Sequence, residues 1–277
     1  MSRLSWLSIG VSSHLTRLIG IRFGNKLPLY WVIEFPRSGG TWVASMIADY
    51  LQIPMPKESY LPIACQAVVH GHFAVTRGLS HAVYVIRDGR DAAVSMAFKD
   101  YRRYVQGTSF DRAQVARRYP SLTGKPITDE TLPEILPAYI EEWMRRPVST
   151  RLSWGRHVTG WLEHSSPQPI IVRYEDVRHN PVVELRRVVE GLTGKEADDQ
   201  RLQASIEKFS FERQTRRRPG EADPLSNKRK GVVGEWRSYF TREAGEIFAK
   251  HANNPLLELG YEHKPDWYLE LTSGSVT

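Results

Sequence analysis

A single cysteine, Cys65, stands in 277 residues, so no disulfide can form within the chain. That excludes a disulfide-stapled secreted scaffold and suits a reducing compartment, which makes the cytoplasm the expected location. Long apolar runs are missing too. Leu4 to Ile21 is mildly apolar, but serines, His14 and Arg17 interrupt it, and it is too polar to span a bilayer. It also lacks the clean apolar run and small-residue cleavage site of a signal peptide. Residues 1–28 read instead as an amphipathic lead-in able to touch a membrane surface. There is no Gly-x-Gly-x-x-Gly, and no Walker A motif, which needs a lysine after its second glycine. No set of His, Cys and carboxylates recurs at metal-ligand spacing, so no metal is expected. Acidic residues are in deficit, 31 against 38 Lys and Arg, for a net charge of +7. A basic balance fits an anionic partner: a nucleotide, a sulfated or phosphorylated small molecule, nucleic acid or a membrane.

What is present centres on Trp31-Val-Ile-Glu-Phe-Pro-Arg-Ser-Gly-Gly-Thr-Trp42. Trp31 to Phe35 is apolar and aromatic apart from Glu34, as a buried strand wants. Pro36 stops the strand. Ser38-Gly39-Gly40 is short and unhindered. Thr41 then opens a helix with Val43, Met46, Ile47, Tyr50 and Leu51 on one face. A strand, a glycine loop and a helix gather unpaired amides at the positive end of a helix dipole, which suits an oxyanion. Arg37 adds a fixed positive charge.

The pattern repeats. Ala82-Val-Tyr-Val-Ile86 reads as a strand, Arg87-Asp-Gly-Arg90 as a turn, and Asp91 as the cap of a helix from Ala92 to about Val105. Pro169 to Tyr174 is a further strand, and Asn180-Pro181 opens a helix with Leu185, Val188, Val189 and Leu192 as its stripe. Alternating strands and helices predict an α/β fold: a central parallel sheet flanked by helices, P-loop-like, in one domain over 1–277. Ligands of such sheets lie at the carboxyl ends of the strands. His70 and His72 lie near one such end and point to one side if the segment is extended. Residues 99–150 are charged and interrupted by prolines, and read as a helical insertion or lid whose aromatics (Tyr101, Tyr104, Tyr139, Trp143) could shape an acceptor pocket. Residues 267–277 read as a mobile tail.

Three ordered stretches together resemble the sulfotransferase family that uses 3′-phosphoadenosine-5′-phosphosulfate (PAPS). Phe35-Pro-Arg-Ser-Gly-Gly-Thr-Trp42 is similar to the family's phosphosulfate loop, Tyr-Pro-Lys-Ser-Gly-Thr-Thr-Trp. Tyr84 to Ser95 resembles its 3′-phosphate segment, with Arg87 and Ser95 at the arginine and serine positions. Arg229-Lys-Gly-Val-Val-Gly-Glu-Trp236 is close to Arg-Lys-Gly-x-x-Gly-Asp-Trp. A weaker match is Tyr174-Glu-Asp, with Asn180-Pro181 following. Arg37 replaces the loop lysine, Gly40 replaces a threonine, and Phe209-Ser-Phe211 lacks the threonine of the family's Thr-Ser-Phe. The family's dimer motif is matched in spacing by Arg237, Thr241-Arg242 and Glu246, with an arginine for its valine; a homodimer is one state open to the chain.

The resemblance implies sulfuryl transfer from PAPS, without a metal, to a hydroxyl or amine acceptor. It puts the 5′-phosphosulfate on the amides of Ser38, Gly39, Gly40 and Thr41, with Arg37 at the bridging oxygen. Trp42, Tyr174 and Phe211 would lie about the adenine. Arg87, Ser95, Arg229, Lys230 and the Gly231 amide would hold the 3′-phosphate. His72 aligns best with the family's base, with His70 the runner-up. Two other readings stay open on the residues alone: a P-loop phosphotransferase using ATP, and a basic nucleic-acid-binding protein, although no nucleic-acid module is recognisable.

Overall fold

Leu29–Glu34 forms the strand that orders the rest, β1, and Trp31, Val32 and Ile33 in it are fully buried. The structure is a computed structural model that describes residues 3–24, 26, 29–56, 66–147 and 150–272. Cys65 and the end of the expected tail, 273–277, lie outside the described residues. In chain order the elements are α1 (Arg3–Phe23), β1, α2 (Gly40–Leu51), β2 (Ala67–Gly71), β3 (Ala82–Ile86), α3 (Gly89–Gln106), α4 (Ser109–Arg118), α5 (Leu132–Arg145) and α6 (Trp154–His164). Then come β4 (Ile170–Arg173), α7 (Tyr174–His179), α8 (Pro181–Thr193), α9 (Asp199–Lys208), α10 (Phe211–Thr215) and α11 (Arg242–Glu258). The fold is α/β, as its alternating pattern predicts. It divides into two compact units, residues 1–86 with 160–214 and residues 87–159 with 215–277.

The first unit holds the sheet. Its order is β2-β1-β3-β4 and every pair is parallel. Strands buried on both faces need continuous apolar sequence, which explains Ala82-Val-Tyr-Val-Ile86. On one face, Val43, Met46, Ile47 and Tyr50 of α2 and Leu185, Val188, Val189 and Leu192 of α8 close over Val32, Val83 and Val172. These are the two stripes expected from helical spacing; only Leu51 lies at the margin. Gly194, at φ 66°, ends α8 in the left-handed conformation that glycine adopts without strain. No helix among the described residues is long and apolar enough to cross a membrane.

The second unit is helical. Its segment 99–150 contains α4 and α5, and Tyr139 and Trp143 of α5 are 0% and 1% exposed. These two rings belong to a core, so they do not line a pocket as the sequence suggests. Tyr101 and Tyr104 are half-buried. Asp88, not Asp91, caps α3: its side chain accepts the Arg90 amide, and the helix begins at Gly89. Trp267–Glu270 forms a 3-10 turn with Trp267 buried against Trp236, where the sequence predicts a mobile end.

Candidate active site

The loop after β1 is built as its residue types dictate. Pro36 ends the strand, and Gly39 at φ 92° turns the chain into α2. A side chain at Gly39 would meet the Tyr174 ring at 2.5 Å, so glycine is required there twice over, by backbone and by space. Arg37 also adopts the left-handed region, at φ 77°. For a non-glycine residue this costs about 1 kcal/mol or more, and such strain tends to cluster at functional positions. Ser38 is fully buried and its hydroxyl has no hydrogen-bond partner. A buried hydroxyl without a partner, at a helix N-terminus, fits an oxyanion oxygen.

Two of the four amides expected to face an anion already have partners. The Ser38 amide donates to the Phe35 carbonyl at 3.1 Å, and the Gly40 amide donates to Glu34 Oε2 at 2.5 Å. Trp42 Nε1 donates to the Phe209 carbonyl at 2.9 Å, and its ring meets Tyr174 edge-on at 5.9 Å between centroids. Phe211 is buried at the start of α10. An open cleft of about 450 Å3 is lined by Thr41, Ser45, Met55 and Phe209 among others. Its size falls in the range of small-molecule sites.

The end of β2 brings two histidines to the same strand end of β1. His70 Nε2 lies 3.0 Å from Glu34 Oε1, and His72 Nδ1 lies 3.2 Å from the Glu34 carbonyl. The two rings meet edge-on at 4.8 Å, so they do share a side. A carbonyl only accepts, so His72 Nδ1 carries a proton in this contact, and Nε2 is the basic nitrogen whenever the ring is neutral. Burial alone would raise the Glu34 carboxyl. The hydrogen bond and charge of His70, the charge of His72 and the Gly40 amide outweigh burial and hold it down at about 2. Sequence spacing shows no His and carboxylate cluster, but the fold makes one: ligand atoms of Glu34, His70 and His72 lie within 4.8 Å of one another. Their contacts are those of a hydrogen-bonded set, with the carboxylate also taken by the Gly40 amide.

The second unit carries the other cations. Arg87 follows β3 directly, and its Nη2 lies 3.3 Å from Asp91 Oδ2 and 3.4 Å from the Val232 carbonyl. Asp91 also accepts the Gly234 amide at 2.8 Å and the Trp236 amide at 2.9 Å, which ties the Gly231–Trp236 turn to α3. Arg229 pairs with Glu235 and lies over the Phe98 ring at 4.1 Å; Lys230 Nζ is 3.2 Å from Glu235 Oε1. Gly231, at φ 66°, turns the chain between these cations and Asp91's partners. Ser95 lies on α3, two turns beyond Arg87. Sequence reasoning missed Glu34, Glu235 and the true work of Asp91. The available signal was a carboxylate inside an otherwise apolar strand or turn, which must find partners if it is buried.

Three comparisons bear on this arrangement. A sulfotransferase domain matches residues 73–260. Human sulfotransferase 1C2 is 29% identical over 132 residues, 40% of this chain and 42% of that protein. Mouse sulfotransferase 1A1 is 24% identical over 247 residues, 82% of this chain and 72% of that one. The chain spans about half the length of the first curated relatives it matches. Among solved structures, mouse sulfotransferase SULT7A1 complexed with PAP superposes with a TM-score of 0.58 at 19% identity, over 88% of each chain.

Proposed function

Because this chain belongs to the sulfotransferase domain family, we propose that it moves a sulfuryl group from PAPS to a hydroxyl or amine acceptor. The observation that carries the reading is the strand end of β1: a glycine loop with the buried hydroxyl of Ser38, next in sequence to a carbonyl that orients His72. The family match itself begins at residue 73, so the loop and both histidines stand on their geometry and motif.

In this reading the Ser38 hydroxyl and the amides of Gly39 and Thr41 hold the 5′-phosphosulfate. Trp42, Tyr174 and Phe211 lie about the adenine. Arg87, Ser95, Arg229, Lys230 and the Gly231 amide take the 3′-phosphate. His72 Nε2 removes the acceptor proton as the acceptor atom bonds to sulfur. The bond from sulfur to the bridging oxygen breaks, and Arg37 stabilises the charge that grows there. The products are the sulfated acceptor, 3′-phosphoadenosine-5′-phosphate (PAP) and a proton first held on His72. In-line displacement of this kind depends on positioning and on donors aimed at the leaving oxygen.

The same reading places the protein in the cytoplasm, with a homodimer as one assembly. It also includes peripheral membrane contact through α1, where Val11, Leu15 and Leu18 are exposed along one side. Transfer from labelled PAPS to a panel of phenols, sugars, amines and lipid alcohols, with a chelator present, tests the activity. Sulfation of at least one class is expected. Absence of PAP binding, with phosphate transfer from ATP and magnesium or steeply salt-dependent oligonucleotide binding, would overturn the reading.

A further inference from the structure

One residue touches three parts of the site. Glu34 is 3% exposed, and its carboxylate accepts the Gly40 amide at 2.5 Å through Oε2 while Oε1 lies 3.0 Å from His70 Nε2. Oε1 is also 3.9 Å from His72 Nδ1, whose hydrogen bond goes to the carbonyl of the same Glu34. The loop, its first helical turn and both histidines are therefore fastened to one side chain and one carbonyl. Space points the same way. A Cβ on Gly40 would lie 2.8 Å from Glu34 Cδ, 2.9 Å from Cγ and 3.1 Å from Cβ. Gly40 and the Glu34 side chain compete for one volume, so a threonine at 40 and a glutamate at 34 exclude each other.

We infer that Glu34 is a positioning residue that couples the phosphosulfate loop to the histidine pair, and that Gly40 is glycine because Glu34 occupies the space of its side chain. The missing threonine at 40 then follows from the space that Glu34 takes, and is more than a hydroxyl lost from the loop. The inference rests on the sulfotransferase reading for the roles of loop and histidine, but the coupling itself is a matter of packing. It has a chemical consequence. A buried negative charge beside the loop opposes the anionic donor, so the carboxylate is retained for what it orients and not for what it attracts. Removing only the charge should separate binding from turnover.

The experiment is a double-mutant cycle in the full chain with Glu34→Thr, Gly40→Thr and both together, read in melting temperature, PAP affinity and kcat. Gly40→Thr alone should lose about a hundredfold or more in kcat, and adding Glu34→Thr should recover at least about tenfold of it. Should Gly40→Thr fail to fold, recovery of a folded protein in the double variant supports the coupling, and an equally unfolded double variant overturns it. Glu34→Gln keeps the shape and an acceptor for the Gly40 amide. It should bind PAP as well as or better than the parent while kcat falls about tenfold or more, a split that general loosening would not give. An unchanged kcat in Glu34→Gln, or additive losses in the cycle, would overturn the inference. A parent protein that binds no PAP and transfers no sulfate fails the functional reading instead, and the melting-temperature cycle still decides the coupling.

Discussion

Two glycine turns of this molecule solve one problem with different materials. The Phe35–Thr41 turn of the first unit and the Gly231–Trp236 turn of the second both gather cations and amides. Both also bury carboxylates among them: Glu34 in the first, Asp91 and Glu235 in the second. In the second turn the carboxylates are held by Arg87, Arg229 and Lys230, whose charges are permanent near neutral pH. In the first, Glu34 is held by the Gly40 amide and by two histidines, and imidazole is the side chain whose proton exchanges near neutral pH. A turn built on arginine suits a phosphate that must simply be held. One built on histidine suits a place where a proton has to move.

The largest effect that tests this contrast is at His72. His72→Ala should lower transfer by about 10²–10⁴-fold, the usual yield of a general base, with PAP affinity little changed. Single-turnover rates and calorimetric titration with PAP measure the two. If His70→Ala carries that loss and His72→Ala does not, the base is the ring on the carboxylate and not the one on the carbonyl.

Arg37→Ala comes next, with about a 10²–10³-fold loss in kcat for a removed donor at the leaving oxygen. Because Arg37 sits at φ 77°, Arg37→Gly is the sharper variant. It relieves the backbone and removes the cation, so a melting temperature at or above the parent's, with kcat still depressed, assigns the loss to chemistry. Arg37→Lys keeps the charge without the planar fork, and an intermediate rate would show that the fork matters.

In the second turn, Arg229→Ala should weaken PAP binding about tenfold and also destabilise the fold by about 3 kcal/mol, since Glu235 would stay buried with one cation fewer. Adding Glu235→Gln should restore most of the stability and none of the affinity. Urea unfolding beside PAP titration separates the two, and restored affinity in the double variant would break the assignment of Arg229 to the ligand.

Most of the sheet was legible because its signals are local. Ala82–Ile86, the α2 face and the α8 stripe are runs and periods that any partner would have to accept. The cationic motifs were legible by their order along the chain. The carboxylates were not. Glu34 sits in an apolar strand, and its meaning depends on His70, 36 residues on, and on the empty Cβ position of Gly40. Asp91 looks like a cap because it opens a helix, but its two amide partners come from a turn more than 140 residues away. Tyr139 and Trp143 read as pocket aromatics by composition, although with Ile135, Leu136 and Ile140 they recur at the helical spacing that marks the core face of α5.

The smallest effect is in stability against pH, and it bears on the first turn. The Glu34 carboxyl lies at about 2 when folded against an ordinary value of 4.5. A depressed carboxyl stabilises fully above its unfolded value and loses that contribution as pH falls through the folded one. The gap corresponds to on the order of 3 kcal/mol, present above about pH 4.5 as long as the two histidines carry charge and fading between about pH 4.5 and 2. Glu34→Gln has no such group. Its stability deficit against the parent should therefore shrink steadily as pH falls through this window, measured by urea unfolding at successive pH values. A deficit that stays constant would mean that the carboxylate's charge is not what the histidines and the Gly40 amide hold, and that the first turn is secured by shape alone.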